Sequence, residues 1–173
     1  MVPAAKGKGH TMLCVDDEPL VLKALVRAMR PEGYTIYAAP GPAQALEVLS
    51  TLPVDLVLSD NLMPGMTGLD FLIKVKGLWP DTVRIILTGQ STLETAIRAI
   101  NEGQIYRFLE KPWNDTEMRI TVRLALAALD LKRENERLLK TVKKQTDFID
   151  KIDRRHPGIA SIKRDRHGAI IID

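Results

Sequence analysis

Short apolar runs alternate along the chain with longer segments whose apolar residues recur every three or four positions. "MLCV" (12–15), "TIYAA" (35–39), "LVLS" (56–59), "RIILT" (84–88) and "YRFLE" (106–110) are brief, and some are rich in β-branched residues. They predict strands, several of them buried on both faces. Between them lie "PLVLKALVRAMR", "GPAQALEVLST", "LDFLIKVKGL" and "TLETAIRAINEG", each with helical spacing. In the first, Leu22, Leu25, Val26 and Met29 share a face; in the second, Ala45, Leu46 and Leu49 do. Pro19 suits a first helical turn, and Gly33 and Gly103 suit helix ends.

Strand–helix alternation repeated in this way predicts an α/β fold with a doubly wound, five-stranded parallel sheet and helices on both faces. Right-handed crossovers are expected. In such sheets ligands sit outside the carboxyl ends of the strands, where the strand order reverses. Asp16 and Asp17 follow the first run, and Asp60 follows the third, just before the turn "MPGMTG". If the first and third strands are neighbours, these carboxylates converge at one edge of the sheet.

After the last strand the pattern changes. "NDTEMRITVRLALAALDLKRENERLLKTVKKQTDFIDKIDRR" opens on a cap-like Asn114 or Asp115, and Glu117 stands at capping-box distance from Asn114. No Pro or Gly interrupts it before Pro157 and Gly158. A continuous helix of about 40 residues would be about 60 Å long, more than a single α/β domain can cover. Leu124, Leu131, Leu138 and Ile152 recur at heptad intervals, with Gln145 in the same row. Ala128, Asn135, Val142 and Ile149 form the second row. Leu at d positions with a single Asn at a predicts a parallel, in-register, two-stranded coiled coil. Leu139 and Phe148 fall outside that seam, and Ala125, Ala127 and Ala128 suit packing on the α/β domain instead. The final segment, "HPGIASIKRDRHGAIIID", reads as a short β-hairpin. A lone hairpin is marginal in water, so it is expected to pair with its dimer mate or to dock on a partner. His156 and His167 lack metal-ligand spacing and read as solvated turn residues. The expected organisation is a flexible tail at 1–10, the α/β domain at 11–125, the coiled-coil helix at 126–156 and the hairpin at 157–173.

Composition narrows the class. Of 173 residues, 45% are apolar, enough for a core of ordinary size. A lone cysteine, Cys14, rules out an intrachain disulfide and reads as a small buried hydrophobe. No run reaches the ~20 apolar residues of a membrane helix, and the polar opening "MVPAAKGKGHT" is unlike a signal peptide. A cytoplasmic location and no membrane partner are expected. A formal charge of +3 is too mild to imply nucleic acid. Asp130, Glu134 and Glu136 interrupt the basic run around Lys132 and Arg133, so DNA contact is not expected.

The acidic edge carries the chemistry. Clustered carboxylates repel one another unless a cation neutralises them, and oxygen-only ligands favour a hard ion, Mg²⁺ above all. Thr88 ends the fourth run before Gly89, and Lys111 follows the fifth before Pro112. A hydroxyl and an ammonium at that edge could hold the oxygens of an arriving phosphoryl group, with Asp60 as nucleophile. Taken singly, each residue has an ordinary reading: helix cap, strand end or turn. Their joint placement at the carboxyl ends of successive strands is what singles them out.

"CVDDEP", "LSDNLMPGMTGLDFL", "IILTG" and "FLEKPW" together resemble the receiver domain of two-component response regulators, over about residues 10 to 125. The resemblance implies the flavodoxin-like strand order 2-1-3-4-5, an order that general fold rules illustrate with a chemotaxis receiver. It implies that Asp60 accepts phosphate from a histidine kinase or phosphotransfer protein. It assigns Mg²⁺ to Asp17 and Asp60, with Asp16 acting mainly through water and the Leu62 backbone carbonyl as a further ligand. Thr88 and Lys111 would contact the phosphoryl group, and Phe108 would be the aromatic switch residue beside Thr88. Leu62 and Gln90 occupy positions that tune water attack in this family. An apolar Leu62 cannot orient water, so a slowly decaying phosphoryl state is expected. The family's Lys-Pro step also implies a cis bond before Pro112.

The expected function is that of a phosphorylation-controlled receiver, without a separate catalytic domain, that relays its switch through a dimeric helical stalk. Three alternatives stay open: the regulatory part of a larger output enzyme such as a cyclic-dinucleotide phosphodiesterase, a phosphate sink without output, and a DNA-binding regulator. No helix-turn-helix pattern supports the last.

Overall fold

A computed structural model describes residues 9–89 and 105–155. The expected helix at 92–103, Gln90, Gly103, the hairpin at 157–173, His156 and His167 lie outside the described residues. So does most of the expected N-terminal tail. The chain divides into two units that meet between Leu129 and Asp130.

The first unit is built on strands β1 (Thr11–Val15), β2 (Thr35–Ala39), β3 (Leu56–Asp60), β4 (Val83–Thr88) and β5 (Arg107–Glu110). They form one sheet in the order β2-β1-β3-β4-β5, every pairing parallel. The expected order therefore holds. Helices α1 (Pro19–Met29), α2 (Pro42–Thr51) and α3 (Gly68–Leu78) connect the strands, and α4 (Asp115–Arg155) follows β5. The strands start and end within a residue or so of the apolar runs. One shift matters: Asp60 is the last residue of β3, not a loop residue after it.

The pleat sorts the side chains into two apolar layers, because successive strand residues face opposite sides. Met12, Cys14, Leu58, Ile85, Leu87 and Leu109 face one side. There they meet Leu22, Leu25, Val26 and Met29 of α1, with Met118, Val122, Ala125, Leu126 and Leu129 of α4. Leu13, Val15, Val57 and Ile86 face the other side, against Ala45, Val48 and Leu49 of α2 and Leu69, Phe71, Leu72 and Val75 of α3. All five residues of β3, at the centre, are buried. That is why Leu56, Val57 and Leu58 are apolar in succession rather than in alternation, before the buried polar pair Ser59 and Asp60. Each fully buried Leu, Val or Met in these layers contributes about 1.5–3 kcal/mol of transfer free energy.

Local signals fix the helix ends. Pro19 and Pro42 each open a helix, where a missing N–H costs nothing. The Thr67 hydroxyl accepts from Asp70 N at 3.1 Å and donates to Asp70 Oδ2 at 2.7 Å, a reciprocal cap on α3. Asn114 Oδ1 accepts from the backbone N–H groups of Thr116 and Glu117, at 2.9 and 3.1 Å, and is the cap of α4. Near the start of α4, Arg123 forks onto Glu32, with Nη2 3.0 Å from Oε2. Of the alanines expected to pack on the sheet, Ala125 does, whereas Ala127 and Ala128 are exposed. The helical phase explains the split: Met118, Val122, Ala125 and Leu129 share one face, and Ala127 and Ala128 lie off it.

In the second unit, residues 130–155 are helical and exposed, apart from a half-buried Ile152. Leu131, Leu138, Leu139, Val142, Phe148 and Ile149 are each at least half exposed. Among the described residues, no helix is long and apolar enough to cross a membrane.

Candidate functional site

The site lies where β1, β3, β4 and β5 end. Asp16 follows β1 and remains tied to the sheet edge, its N–H donating to the Ala39 carbonyl at 3.2 Å. Its side chain is fully buried. Oδ1 accepts from Glu18 N at 2.9 Å, which shapes the turn into α1. Oδ2 accepts from Lys111 Nζ at 2.7 Å. Asp60 presents Oδ1 to the same ammonium at 2.6 Å, while Oδ2 accepts from Leu62 N at 2.7 Å. Lys111 is carried in by the bend after β5, a bend fixed by a cis Lys111–Pro112 peptide. The Lys111 N–H donates to the Thr88 carbonyl at 2.9 Å. One ammonium thus bridges two buried carboxylates. Burial pulls the Lys111 pKa down, but the hydrogen bonds and charges of Asp16 and Asp60 outweigh it and hold the group above its ordinary value.

The third carboxylate behaves differently. Asp17 is exposed, and among the described residues no three His, Cys, Asp or Glu side chains stand together as a metal-binding group. Asp16 and Asp60 meet on the Lys111 ammonium, and the Asp17 side chain is exposed in the turn after β1. Like charges gather only around a compensating cation, and here that cation is the Lys111 ammonium, which reaches Asp16 and Asp60. The oxygens present still match a hard divalent ion by type, since each carboxylate oxygen retains acceptor capacity beyond its one protein donor.

Thr88 ends β4 and is buried. Phe108, in β5, is half buried and packs in the layer of Ile86. Strand pairing sets Ile86 against Phe108 and Thr88 against Glu110. By alternation Thr88 and Phe108 share one face of the sheet, and Asp60 lies on the other. Leu62 is 68% exposed at the rim of the site.

The turn after Asp60 has a double reason. Gly65 has φ 81°, a left-handed conformation that favours glycine. Gly68, at the start of α3, is a point of close backbone contact. A Cβ there would overlap the Asp60 carbonyl oxygen and come within 2.9 Å of Asn61 Cα. Its N–H donates to the Asn61 carbonyl at 2.9 Å. The start of α3 is therefore pressed against the backbone that carries Asp60.

Two features escaped the sequence. Asn61 is buried beside Asp60, and its Oδ1 has no hydrogen-bond partner among the described residues. Glu32, in the turn after α1, holds both Arg119 and Arg123 of α4. Asn61 was legible only as the residue after a strand, and Glu32 only as a surface acid.

Comparison with known proteins agrees with this geometry. The family model for the response regulator receiver domain matches residues 12–123. The hydrogenase transcriptional regulatory protein HoxA of Cupriavidus necator is 37% identical over 131 residues, covering 76% of this chain and 27% of that protein. A response regulator resembling NtrX from Rickettsia bellii is 34% identical over 140 residues, covering 80% of this chain and 29% of that protein. The chain thus spans less than a third of the length of these curated relatives. Among solved structures, the signal receiver domain of an HD domain-containing protein from Pseudomonas fluorescens Pf-5 superposes with a TM-score of 0.69 at 38% identity. That match covers 71% of this chain and 98% of the other. With a parallel sheet of this order and a buried Asp–Lys–Asp cluster at its carboxyl edge, the chain belongs to the response regulator receiver domain family.

Proposed function

We propose that Asp60 is the phosphoacceptor, charged by a histidine kinase or phosphotransfer protein. An Asp60 carboxylate oxygen attacks phosphorus, the phosphorus–nitrogen bond of a phosphohistidine breaks, and the departing imidazole takes up a proton. The product is an acyl phosphate on Asp60. Lys111 supports this reading most directly: its ammonium stands 2.6 Å from Asp60 Oδ1, where it can follow charge onto the phosphoryl oxygens. The Thr88 hydroxyl would hold another of those oxygens. Asp16, Asp17, Asp60 and the Leu62 carbonyl would hold Mg²⁺, which when bound supplies charge neutralisation for the transfer. Leu62 cannot orient a hydrolytic water, so slow decay of the phosphoryl state goes with this reading.

Output would pass from Thr88 to Phe108, and from β5 into α4, in a receiver of residues 11–125 followed by a stalk of residues 126–156. Turning Thr88 towards phosphorylated Asp60 would free space for Phe108 to move inward, a two-state change driven by local charge. In the second unit, Leu131, Leu138, Val142 and Ile149 are exposed at heptad spacing with Asn135 among them. A second copy in parallel register would cover that stripe. A homodimer through the stalk follows from this reading. The test is mass spectrometry after incubation with acetyl phosphate and MgCl₂. Wild type should gain one phosphoryl group that Asp60→Asn does not, and an unlabelled wild type would overturn the reading.

A second reading makes the chain the regulatory part of a longer output protein. The lengths of its relatives favour this, since it covers 27% of HoxA and 29% of the NtrX-like regulator. The structural neighbour is likewise a receiver domain from an HD domain-containing protein. The genomic reading frame downstream of Asp173 decides between the two.

A further inference from the structure

β2 is an edge strand of the sheet. Along a strand, successive residues turn their N–H and C=O groups to opposite neighbours. The Thr35 N–H donates to the His10 carbonyl at 3.0 Å, and the Ala39 carbonyl accepts from Asp16 N–H at 3.2 Å. Thr35, Tyr37 and Ala39 therefore address β1. The backbone groups of Ile36 and Ala38 point outward, where no further strand pairs among the described residues. Such a row of open donors and acceptors is a template for another strand.

A cleft lies beside this edge. A cavity of about 460 Å³ opens between α1 and β2, lined by Leu22, Lys23, Val26, Arg27, Arg30 and Ala38. That is within the ~300–1,000 Å³ of ordinary ligand clefts. Its floor is apolar, since Leu22 and Val26 are buried and Ala38 packs against the same layer. Its rim is basic. Lys23, Arg27 and Arg30 stand exposed at helical spacing, and none of them forms an ion pair among the described residues. Glu32, the acid that follows them, is committed to Arg119 and Arg123.

Open backbone groups, an apolar floor and unpaired cations converge on one kind of occupant. We propose that β2 and α1 form a docking site for an extended acidic peptide segment of a partner protein, which joins the sheet beside β2. Ile36 and Ala38 ladder with its backbone. Its alternate side chains face α1. Apolar ones fill the floor over Leu22, Val26 and Ala38, and flanking carboxylates meet Lys23, Arg27 and Arg30. A second copy of this chain suits the site poorly. Pairing two β2 edges about a two-fold axis brings two α1 helices, each with these three cations, to the same side of the joined sheet. The proposal does not depend on phosphorylation of Asp60.

The test is fluorescence anisotropy of a dye-tagged peptide, ETVTVTE, titrated with the full chain. Its valines and glutamates share one face when it is extended. ETVTVTE should bind, KTVTVTK should not, and added NaCl should weaken the complex. Ala38→Pro removes one outward N–H and spares the β1–β2 ladder, because Ala38 does not address β1. It should weaken binding about tenfold. Lys23→Glu with Arg27→Glu is the second variant should Pro fail to fold, with the same direction expected. In NMR hydrogen exchange, the peptide should slow the Ile36 and Ala38 amides more than that of Tyr37, which already faces β1. No binding of ETVTVTE, equal binding of KTVTVTK, variants that bind like wild type, or unchanged exchange at Ile36 and Ala38 overturns the proposal. Self-association of the chain that Ala38→Pro abolishes would make the occupant a second copy and overturn it as well.

Discussion

Lys111 Nζ sits 2.6 Å from Asp60 Oδ1 while also contacting Asp16 Oδ2 at 2.7 Å, so a single cation neutralises two acids that are almost wholly out of solvent. Removing the cation leaves the acids facing each other. Breaking one partner out of a buried charge cluster costs about 3–5 kcal/mol. Lys111→Met is therefore expected to lower unfolding free energy by about 3 kcal/mol. Added MgCl₂ should restore part of the loss. Urea unfolding with and without MgCl₂ checks both, and a variant as stable as wild type in metal-free buffer would show that the ammonium is not the neutralising group.

Gly68 is expected to tolerate no side chain. A Cβ there would overlap the Asp60 carbonyl oxygen, and backbone cannot rotate aside as a side chain can. Overpacking of this kind costs about 1–3 kcal/mol. Gly68→Ala should lose that much stability and, unlike an ordinary helix Gly→Ala change, gain nothing from helix propensity. Because the clash displaces the backbone of Asp60, labelling by acetyl phosphate should also slow. Thermal unfolding together with a labelling time course measures the two effects side by side.

Alkaline pH should unfold the receiver by a route with two named groups. Burial, with the charge of Asp16 adding to it, pushes the Cys14 thiol from 9.0 up to about 12. A pKa raised on folding means stability that is intact below pH 9.0 and lost as pH climbs through that window to about 12. At 1.36 kcal/mol per unit, the Cys14 part of the loss is about 4 kcal/mol. Lys111, also held above its ordinary value, is lost in the same direction at higher pH. Cys14→Ala should flatten the decline between pH 9 and 12 relative to wild type, and native Cys14 should resist thiol reagents at neutral pH. Denaturation series across that range and a reagent time course provide the readings.

The stalk reading makes two opposite expectations for neighbouring positions of one helix. Leu131→Glu and Leu138→Glu put charge into the shared seam and should yield a monomer. Asn135→Val should keep or strengthen association while relaxing its register and strand number, as loss of a polar a residue does. Sedimentation velocity at several concentrations distinguishes these. A wild type that sediments as a monomer at every concentration would remove the dimeric stalk.

How much of this was legible in the chain follows from which forces act locally. Strands and helices were readable because each buries a periodic face, as Leu22, Leu25, Val26 and Met29 of α1 show. The sheet order came from the resemblance carried by residues around Asp16, Asp60 and Lys111. Periodicity does not encode which strands lie side by side. The site residues were visible because acids, hydroxyl and ammonium each end or follow a strand. Their resting arrangement was not, because it depends on which cation reaches which carboxylate. Asn61 was hidden because burial of one polar side chain is set by neighbours remote in sequence. The close contact at Gly68 was not legible, because sequence shows what a glycine allows and not what lies against it.

On the phosphoacceptor reading, the pleat that parts Asp60 and Lys111 from Thr88 and Phe108 gives this small sheet a reagent side and a listening side, and the Thr88 hydroxyl would carry the signal from one to the other. Substitutions behind the first can retune how fast a charge arrives or departs. Substitutions behind the second can retarget who hears it. Descendants of this chain can thus change correspondents without relearning the reaction.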